Sequence, residues 1–309
     1  MNTVKKRTYV AVAILALLLA AILLTGCEEE DVMNILGAGS ITATETTRYF
    51  VAVDAPLTIE LMSSNGALAL RGEPGIQTAT LVVTRRSRGE SLEEAEDRLR
   101  RIDIHVSPAN GRLEAWYKSS EQDADVRRFS GVEFELTVPQ NSDVNAKTSN
   151  GDIDVTSVYG RLSLDTSNGR IEVFDGRGTL NADTSNGRIQ VVQFEGDIRA
   201  DTSNGAIWIE RVVGSVDADT SNGSISFTGM PSPGSSHRLD TSNGSVDVRI
   251  PIGASIHFDA HTSSGSIRSS LPLIGDTEGD DWSADLNPPT DTRFDLSTSN
   301  GSIRIDRTP

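Results

Sequence analysis

The tetrapeptide Thr-Ser-Asn-Gly recurs through the second half of this chain at near-constant spacing, and no other feature limits its fold as much. It starts at Thr148, Thr166, Thr184, Thr202, Thr220, Thr241 and Thr298. Ser63 opens a Ser-Ser-Asn-Gly variant and Thr262 a Thr-Ser-Ser-Gly variant. From Thr148 to Thr220 each step is 18 residues, the next two are 21, and the last, from Thr262 to Thr298, is 36. Gly160, Gly178, Gly196 and Gly214 form a second marker with the same period. Self-similarity at a fixed period of about this length marks a repeat architecture. The double-length last step predicts a coil that has lost its motif or been replaced.

Alternation between the markers fixes which side chains share a face. Leu162, Leu164 and Thr166 point one way, and Ile171 and Val173 follow them after the turn. The next unit gives Leu180, Ala182, Thr184, Ile189 and Val191, and the one after gives Ile198, Ala200, Thr202, Ile207 and Ile209. Equivalent positions keep their polarity from unit to unit. A chain does this when it coils, each strand pairing with the coil above at about 4.8 Å. At the turn, Asn and Gly suit the left-handed backbone of a sharp corner, and Ser and Thr can bond local backbone groups. Asparagines stacked coil upon coil can also hydrogen-bond to one another. An array of hairpins competes, because Asn-Gly between alternating strands is also a hairpin signal. The constant step and the second glycine corner favour the solenoid.

The first half is less regular. Lys5, Lys6 and Arg7 precede an apolar run from Val10 to Leu24, and Leu24-Thr25-Gly26-Cys27 follows. That order reads as a signal peptide over 1–27, with Cys27 resembling the lipidated cysteine of a bacterial lipobox. Residues 28–47 read as an acidic and polar tether. Strands are expected from Arg48 onward, and 48–140 forms an N-terminal β region. Within it Leu92, Ala95, Leu99 and Ile102 have helical spacing behind Ser91, which predicts one short helix. Residues 141–309 form the repeat domain. Cys27 is the single cysteine of the chain, so stability must come from packing and backbone hydrogen bonds rather than disulfides.

Taken together, the chain resembles a bacterial family of β-strand-repeat domains of unknown function that carry an adhesin label. The resemblance rests on Thr-Ser-Asn-Gly followed by Asp, Arg or Ser and then Ile-x-Val. It also rests on the joining segments Val138-Pro139 to Gly151 and Ile250-Pro251 to Ile267, and it spans Phe50 to Ile305. It implies an all-β, right-handed parallel β-solenoid or β-helix with a less regular N-terminal region, and it implies no catalytic residues.

Candidate sites weigh unevenly. Asp165, Asp183, Asp201, Asp219 and Asp240 each precede a motif and stack into a column of like charge. The column reads better as a solvated face offset by Arg170, Arg188 and Arg199 than as a row of Ca2+ positions. Asp276, Glu278, Asp280, Asp281 and Asp285 fall in an expected irregular acidic loop without Ca2+-loop spacing. His257 and His261 share an outer face, about 7 Å or more apart, too far to hold one tetrahedral metal. No metal and no cofactor is therefore expected. The sequons at Asn222, Asn243 and Asn300 are by-products of the turn. Trp208, between inward Ile207 and Ile209, should face outward, in one row with Gln190 and Ser226. A sugar or a protein could stack there, or the strand holding Trp116 and Tyr117 could cover it.

The expected function is a lipid-anchored, non-catalytic surface module of adhesin type. It would sit on the cell membrane or outer membrane, facing periplasm or exterior, with a glycan or an envelope protein as partner. Two alternatives are a passive structural or envelope-stress lipoprotein, and a polysaccharide-active enzyme. The last would need paired carboxylates in a groove, whereas acidic residues here follow the repeat. Nucleic acid is excluded as a partner by charge: 28 Lys and Arg stand against 44 Asp and Glu, and the leader holds three of the basic residues.

Overall fold

Alternation commits one row of side chains in each unit to the interior, and the computed structural model shows how those rows stack. It describes residues 2–10, 41–53, 56–109, 111–118 and 124–308. In each unit a leading strand ends on the motif threonine, and a trailing strand begins two residues after the motif glycine. Leading strands pair in parallel with leading strands, as Val144, Leu162 and Leu180 align. Trailing strands pair with trailing strands, as Ile153, Ile171 and Ile189 align. Each partner lies 18 residues on through the regular part. Ile171–Thr184 and Ile189–Thr202 run through the corner and belong to both columns. The chain is thus all-β, apart from two helices among the described residues, and its strands join in one continuous hydrogen-bonded sheet.

The interior is a narrow stack of aliphatic rows. Ile153, Val155, Leu164, Ile171, Val173, Ala182, Ile189, Val191, Ala200, Ile209, Ala218 and Ile225 are all buried. The motif threonines face inward with them. Each buried hydroxyl is satisfied by the coil beneath: Thr166 Oγ1 donates to the Gly151 carbonyl at 2.9 Å, and Thr184, Thr202 and Thr220 repeat the bond at 3.0 Å. The same hydroxyls accept from the motif glycine N–H of their own coil. A buried hydroxyl left without a partner would cost energy, so threonine is tolerated here because the repeat supplies both partners. Outside, the asparagines form the expected ladder. Asn150 donates to Asn65 at 2.7 Å, and the chain of amide bonds continues through Asn168, Asn186, Asn204, Asn222, Asn243 and Asn300.

The motif glycine has a different role from the one its neighbours suggest. No positive φ occurs at the motif glycines. A Cβ on Gly187 would lie 1.7 Å from the Gly169 carbonyl oxygen, and Gly169, Gly205 and Gly223 face the same contact at 1.7 or 1.8 Å. Glycine is required because successive coils touch backbone to backbone at the turn. The left-handed corner lies elsewhere. Ser157, Asp175, Gln193 and Arg211, again 18 apart, have φ between 53° and 59°. Each stands three residues before the second glycine marker, where Gly178, Gly196 and Gly214 have φ of 117° to 137°.

Both ends depart from sequence order. Ser236–Thr241 pairs with Thr292–Thr298, and Ile256–Thr262 packs beyond that strand. The 36-residue step therefore hides a reversal rather than a lost coil: the last coil in sequence is inserted one level in. The N-terminal end does the same. Leu57–Met62 and Leu68–Glu73 stack directly on the Ser142–Thr148 and Ile153–Thr156 coil. Arg112–Lys118 and Ser130–Pro139 lie outside them. Antiparallel strands then close both ends. Asp281–Leu286 covers Ile256–Thr262 and pairs onward with Ile274–Asp276. Thr78–Gly89 covers Ser130–Pro139, followed by Ile41–Ala52 and then Asn2–Val10.

Three expectations need correction. The strand expected to start at Arg48 starts at Ile41, inside the segment read as tether. Its inward row there is Ala43, Glu45 and Thr47, all buried, and Glu45 pairs with Arg85 at 2.7 Å. A polar inward row conceals a strand from hydrophobic patterning. Helix α1, Leu92–Arg100, is capped by Ser91 as expected, but a second helix, α2, spans Ala124–Phe129. Only Val126 of α2 is buried, so it carries no periodic apolar face. The acidic segment near Asp281 is half strand, as described below. Cys27 and most of the leader and tether lie outside the described residues, while Lys5, Lys6 and Arg7 fall in the strand Asn2–Val10.

Candidate functional site

Parallel stacking in register turns each outer position of the repeat into a row. In the trailing column one row runs Asp154, Glu172, Gln190, Trp208, Ser226 and Asp247. The three residues expected to share a face are brought together: Gln190 pairs with Trp208, and Trp208 with Ser226. Trp208 is 52% exposed. The strand with Trp116 and Tyr117 does not cover it. Trp116 instead stacks on His105, ring centres 4.7 Å apart, at the N-terminal end.

A second outer row lies two residues further along the same strands and was not foreseen. It holds Phe174, Val192, Glu210 and Thr228. Phe174 is 37% exposed, whereas Val192, outward by alternation, is only 7% exposed. The periodicity that placed Trp208 would have found both residues. They lie one side-chain period beyond the Trp208 row, where Phe174, Val192, Glu210 and Thr228 share no residue type that would mark a repeat.

The carboxylates nearest the two aromatics are paired within the chain, while Asp154 Oδ1 is buried without a hydrogen-bond partner. Glu172 accepts from Arg188 at 2.6 Å and from Arg170 at 3.3 Å. Arg170 also reaches Asp152 at 3.5 Å, and Glu210 pairs with Arg211. Asp154 is pushed above its ordinary value, mainly by burial and partly against the nearby Arg170 charge.

The aspartate column stands on the neighbouring leading strands, with Asp165, Asp183, Asp201, Asp219 and Asp240 in register. Of the three arginines expected to offset it only Arg199 does, meeting Asp201 at 2.8 Å, because Arg170 and Arg188 lie on the trailing side with Asp152 and Glu172; Lys147 meets Asp165 at 2.6 Å and Arg238 meets Asp240 at 2.8 Å instead. Burial raises Asp219, reinforced by the Asp240 and Asp201 charges, and burial likewise raises Asp201. Like-charge stacking is therefore felt at the centre of the column. Among the described residues no group of three or more His, Cys, Asp or Glu is arranged to hold a metal ion.

The two outer histidines acquire partners that sequence order concealed. The acidic segment after Asp276 folds back as the strand Asp281–Leu286. This sets Asp285 Oδ1 2.7 Å from His257 Nδ1 and Asp281 Oδ1 2.5 Å from His261 Nδ1. Asp259, next to His257, pairs with Arg293 at 2.5 Å. These cross-strand contacts fasten the C-terminal cap.

The sequence model of a family described as Toastrack DUF4097 matches residues 78–306. No curated protein matches the chain. Among solved structures, a "putative adhesin" from Bacteroides fragilis is 12% identical and aligns over 85% of this chain and 97% of its own, with TM-score 0.46. A "putative adhesin" from Parabacteroides distasonis has the same identity and coverage, with TM-score 0.39. A "putative lipid binding protein" from the same organism is 9% identical over 85% of this chain and 97% of its own, with TM-score 0.30. Among the described residues no helix is long and apolar enough to cross a membrane.

Proposed function

This chain belongs to the Toastrack DUF4097 family, and from that premise we propose that it is a cell-envelope lipoprotein whose repeat body is a non-catalytic, adhesin-like interaction module. Cleavage before Cys27 removes residues 1–26, and with them the strand Asn2–Val10, so that Ile41–Ala52 becomes the N-terminal edge; Cys27 carries the lipid, and the body faces the periplasm or the exterior. More than one acyl chain is needed for stable attachment, at about 0.8 kcal/mol per buried CH2. The body winds in right-handed coils of about 18 residues, the hand that connections between parallel strands adopt. Its partner, a glycan or an envelope protein, docks across Gln190, Trp208 and Ser226.

The observation that carries this reading is the exposed Trp208 at the centre of an ordered row. A large aromatic left half in water on a flat β face costs hydrophobic stabilisation, and such residues are enriched where partners bind. The carboxylates around it are tied into ion pairs or follow the repeat, which favours binding over acid–base chemistry. Two substitutions test the two halves of the reading. Cys27→Ala should abolish palmitate incorporation and leave an uncleaved precursor; continued labelling would remove the lipoprotein assignment. Trp208→Ala should reduce binding of the protein to isolated cell envelopes by about tenfold or more. Unchanged envelope binding would remove the docking face.

A further inference from the structure

Phe174 and Trp208 stand on the same outer face, two strands apart. Between them runs the strand holding Gln190 and Val192, with Phe174 paired to Val192 and Trp208 paired to Gln190. Two strand spacings across and one side-chain period along separate the two aromatic positions by about 12 Å. Both rings are partly exposed, while Val192 between them is almost fully covered. The three side chains therefore make a diagonal apolar strip with two aromatic platforms at its ends. Polar residues border it on both sides: Glu172, Arg188 and Gln190 on one, Ser226 and Thr228 on the other.

From this we infer that the strip binds a neutral, linear oligosaccharide lying diagonally across three strands, one sugar ring on Trp208 and another on Phe174. The inference rests on the docking face proposed above and names its ligand. Three observations select this occupant. First, the aromatic spacing exceeds one sugar ring and suits a short chain of them. Second, Glu172 is held by Arg170 and Arg188, and Glu210 by Arg211, so the strip offers no uncompensated charge to an ionic ligand. The acidic excess of the whole chain, 44 Asp and Glu against 28 Lys and Arg, disfavours an acidic polysaccharide. Third, the exposed apolar area is little more than two aromatic rings. A protein interface usually needs about 800 Å² per partner around a larger dry centre. A sugar ring needs less: an apolar face to stack on and polar groups at its edge to meet its hydroxyls.

Calorimetric titration of the full-length chain in detergent with cellohexaose, chitohexaose, maltohexaose and hexagalacturonate tests this. At least one neutral hexasaccharide should bind, and hexagalacturonate should not. Phe174→Ala and Trp208→Ala should each weaken binding about tenfold or more, while Val213→Ala, at an exposed apolar residue on a different row, should not. The inference is overturned if no neutral hexasaccharide binds, if hexagalacturonate binds as well as the neutral sugars, or if binding survives both aromatic substitutions. Envelope binding measured in parallel separates the two levels of failure. If Trp208→Ala abolishes envelope binding while no hexasaccharide binds, the face stands with a protein partner and the sugar assignment falls. If envelope binding is also unchanged, both fall.

Discussion

His237 sits where this body can least accommodate a charge. It occupies an inward position in the leading column, in register with Val216 and Phe294, and it is fully buried. Its ring stacks on Phe294 at 4.3 Å and lies 5.1 Å from Phe227. Nε2 bonds the Ser235 hydroxyl at 2.8 Å, while Nδ1 has no partner. Burial pushes the imidazole down to about 4, so the folded protein holds it neutral. A depressed folded value means that its stabilising contribution is complete above the ordinary value near 6.5 and is lost as pH falls towards 4. His237→Phe keeps the ring stack and removes the titration. Urea unfolding of the variant and the parent should therefore diverge by roughly 3 kcal/mol between pH 7 and pH 4, with the variant gaining. Parallel pH profiles would show that His237 can be charged in place. At the same scale, the inward row was legible because aliphatic residues recur every 18 positions. The buried Glu45 was not, because its partner Arg85 is 40 residues away and only the fold brings them together.

A single coil turn is the element from which the stability of this body derives, and its glycine is the most constrained atom set within it. Gly187→Ala would force a Cβ to 1.7 Å from the Gly169 carbonyl, a backbone atom that cannot move without opening the ladder. It should cost about 3 kcal/mol or more. Gly253→Ala, where a Cβ would meet nothing within 4 Å, is the control and should change the unfolding midpoint little. Equal midpoints for the two variants would mean that successive turns do not touch. The Asn-Gly pair announced a turn in the sequence but not its reason. Local chemistry suggested a left-handed backbone, whereas the constraint is the coil beneath, which only stacking reveals. The left-handed corner falls on Ser157, Asp175, Gln193 and Arg211, whose unlike side chains left no motif to read. The end reversals were hidden for a related reason. Spacing reports which units resemble one another, not the order in which they stack, and the strands that close the ends follow no period.

At the scale of the molecule, the stack separates its side chains by face: inward rows hold the coils together, and the outward face with Trp208 is the one proposed to meet a partner. Ile207 and Trp208 are adjacent in sequence and fall on opposite sides of that division, one 1% and the other 52% exposed. Ile207 lies in register with Ile189 and Ile225 inside the trailing column, and Trp208 with Gln190 and Ser226 outside it. Truncating a buried isoleucine leaves a cavity and typically costs 2–5 kcal/mol, roughly, whereas truncating an exposed side chain that packs on nothing essential stays within about 0.5 kcal/mol. The unfolding free energy of Ile207→Ala and Trp208→Ala, measured side by side against the parent chain, tests the division most directly. A loss of about 3 kcal/mol is expected for Ile207→Ala and a clearly smaller one, about 1 kcal/mol, for the half-exposed Trp208→Ala. A comparable loss in Trp208→Ala would contradict that division, because the tryptophan would then be packing for the fold and not a surface kept open for a partner.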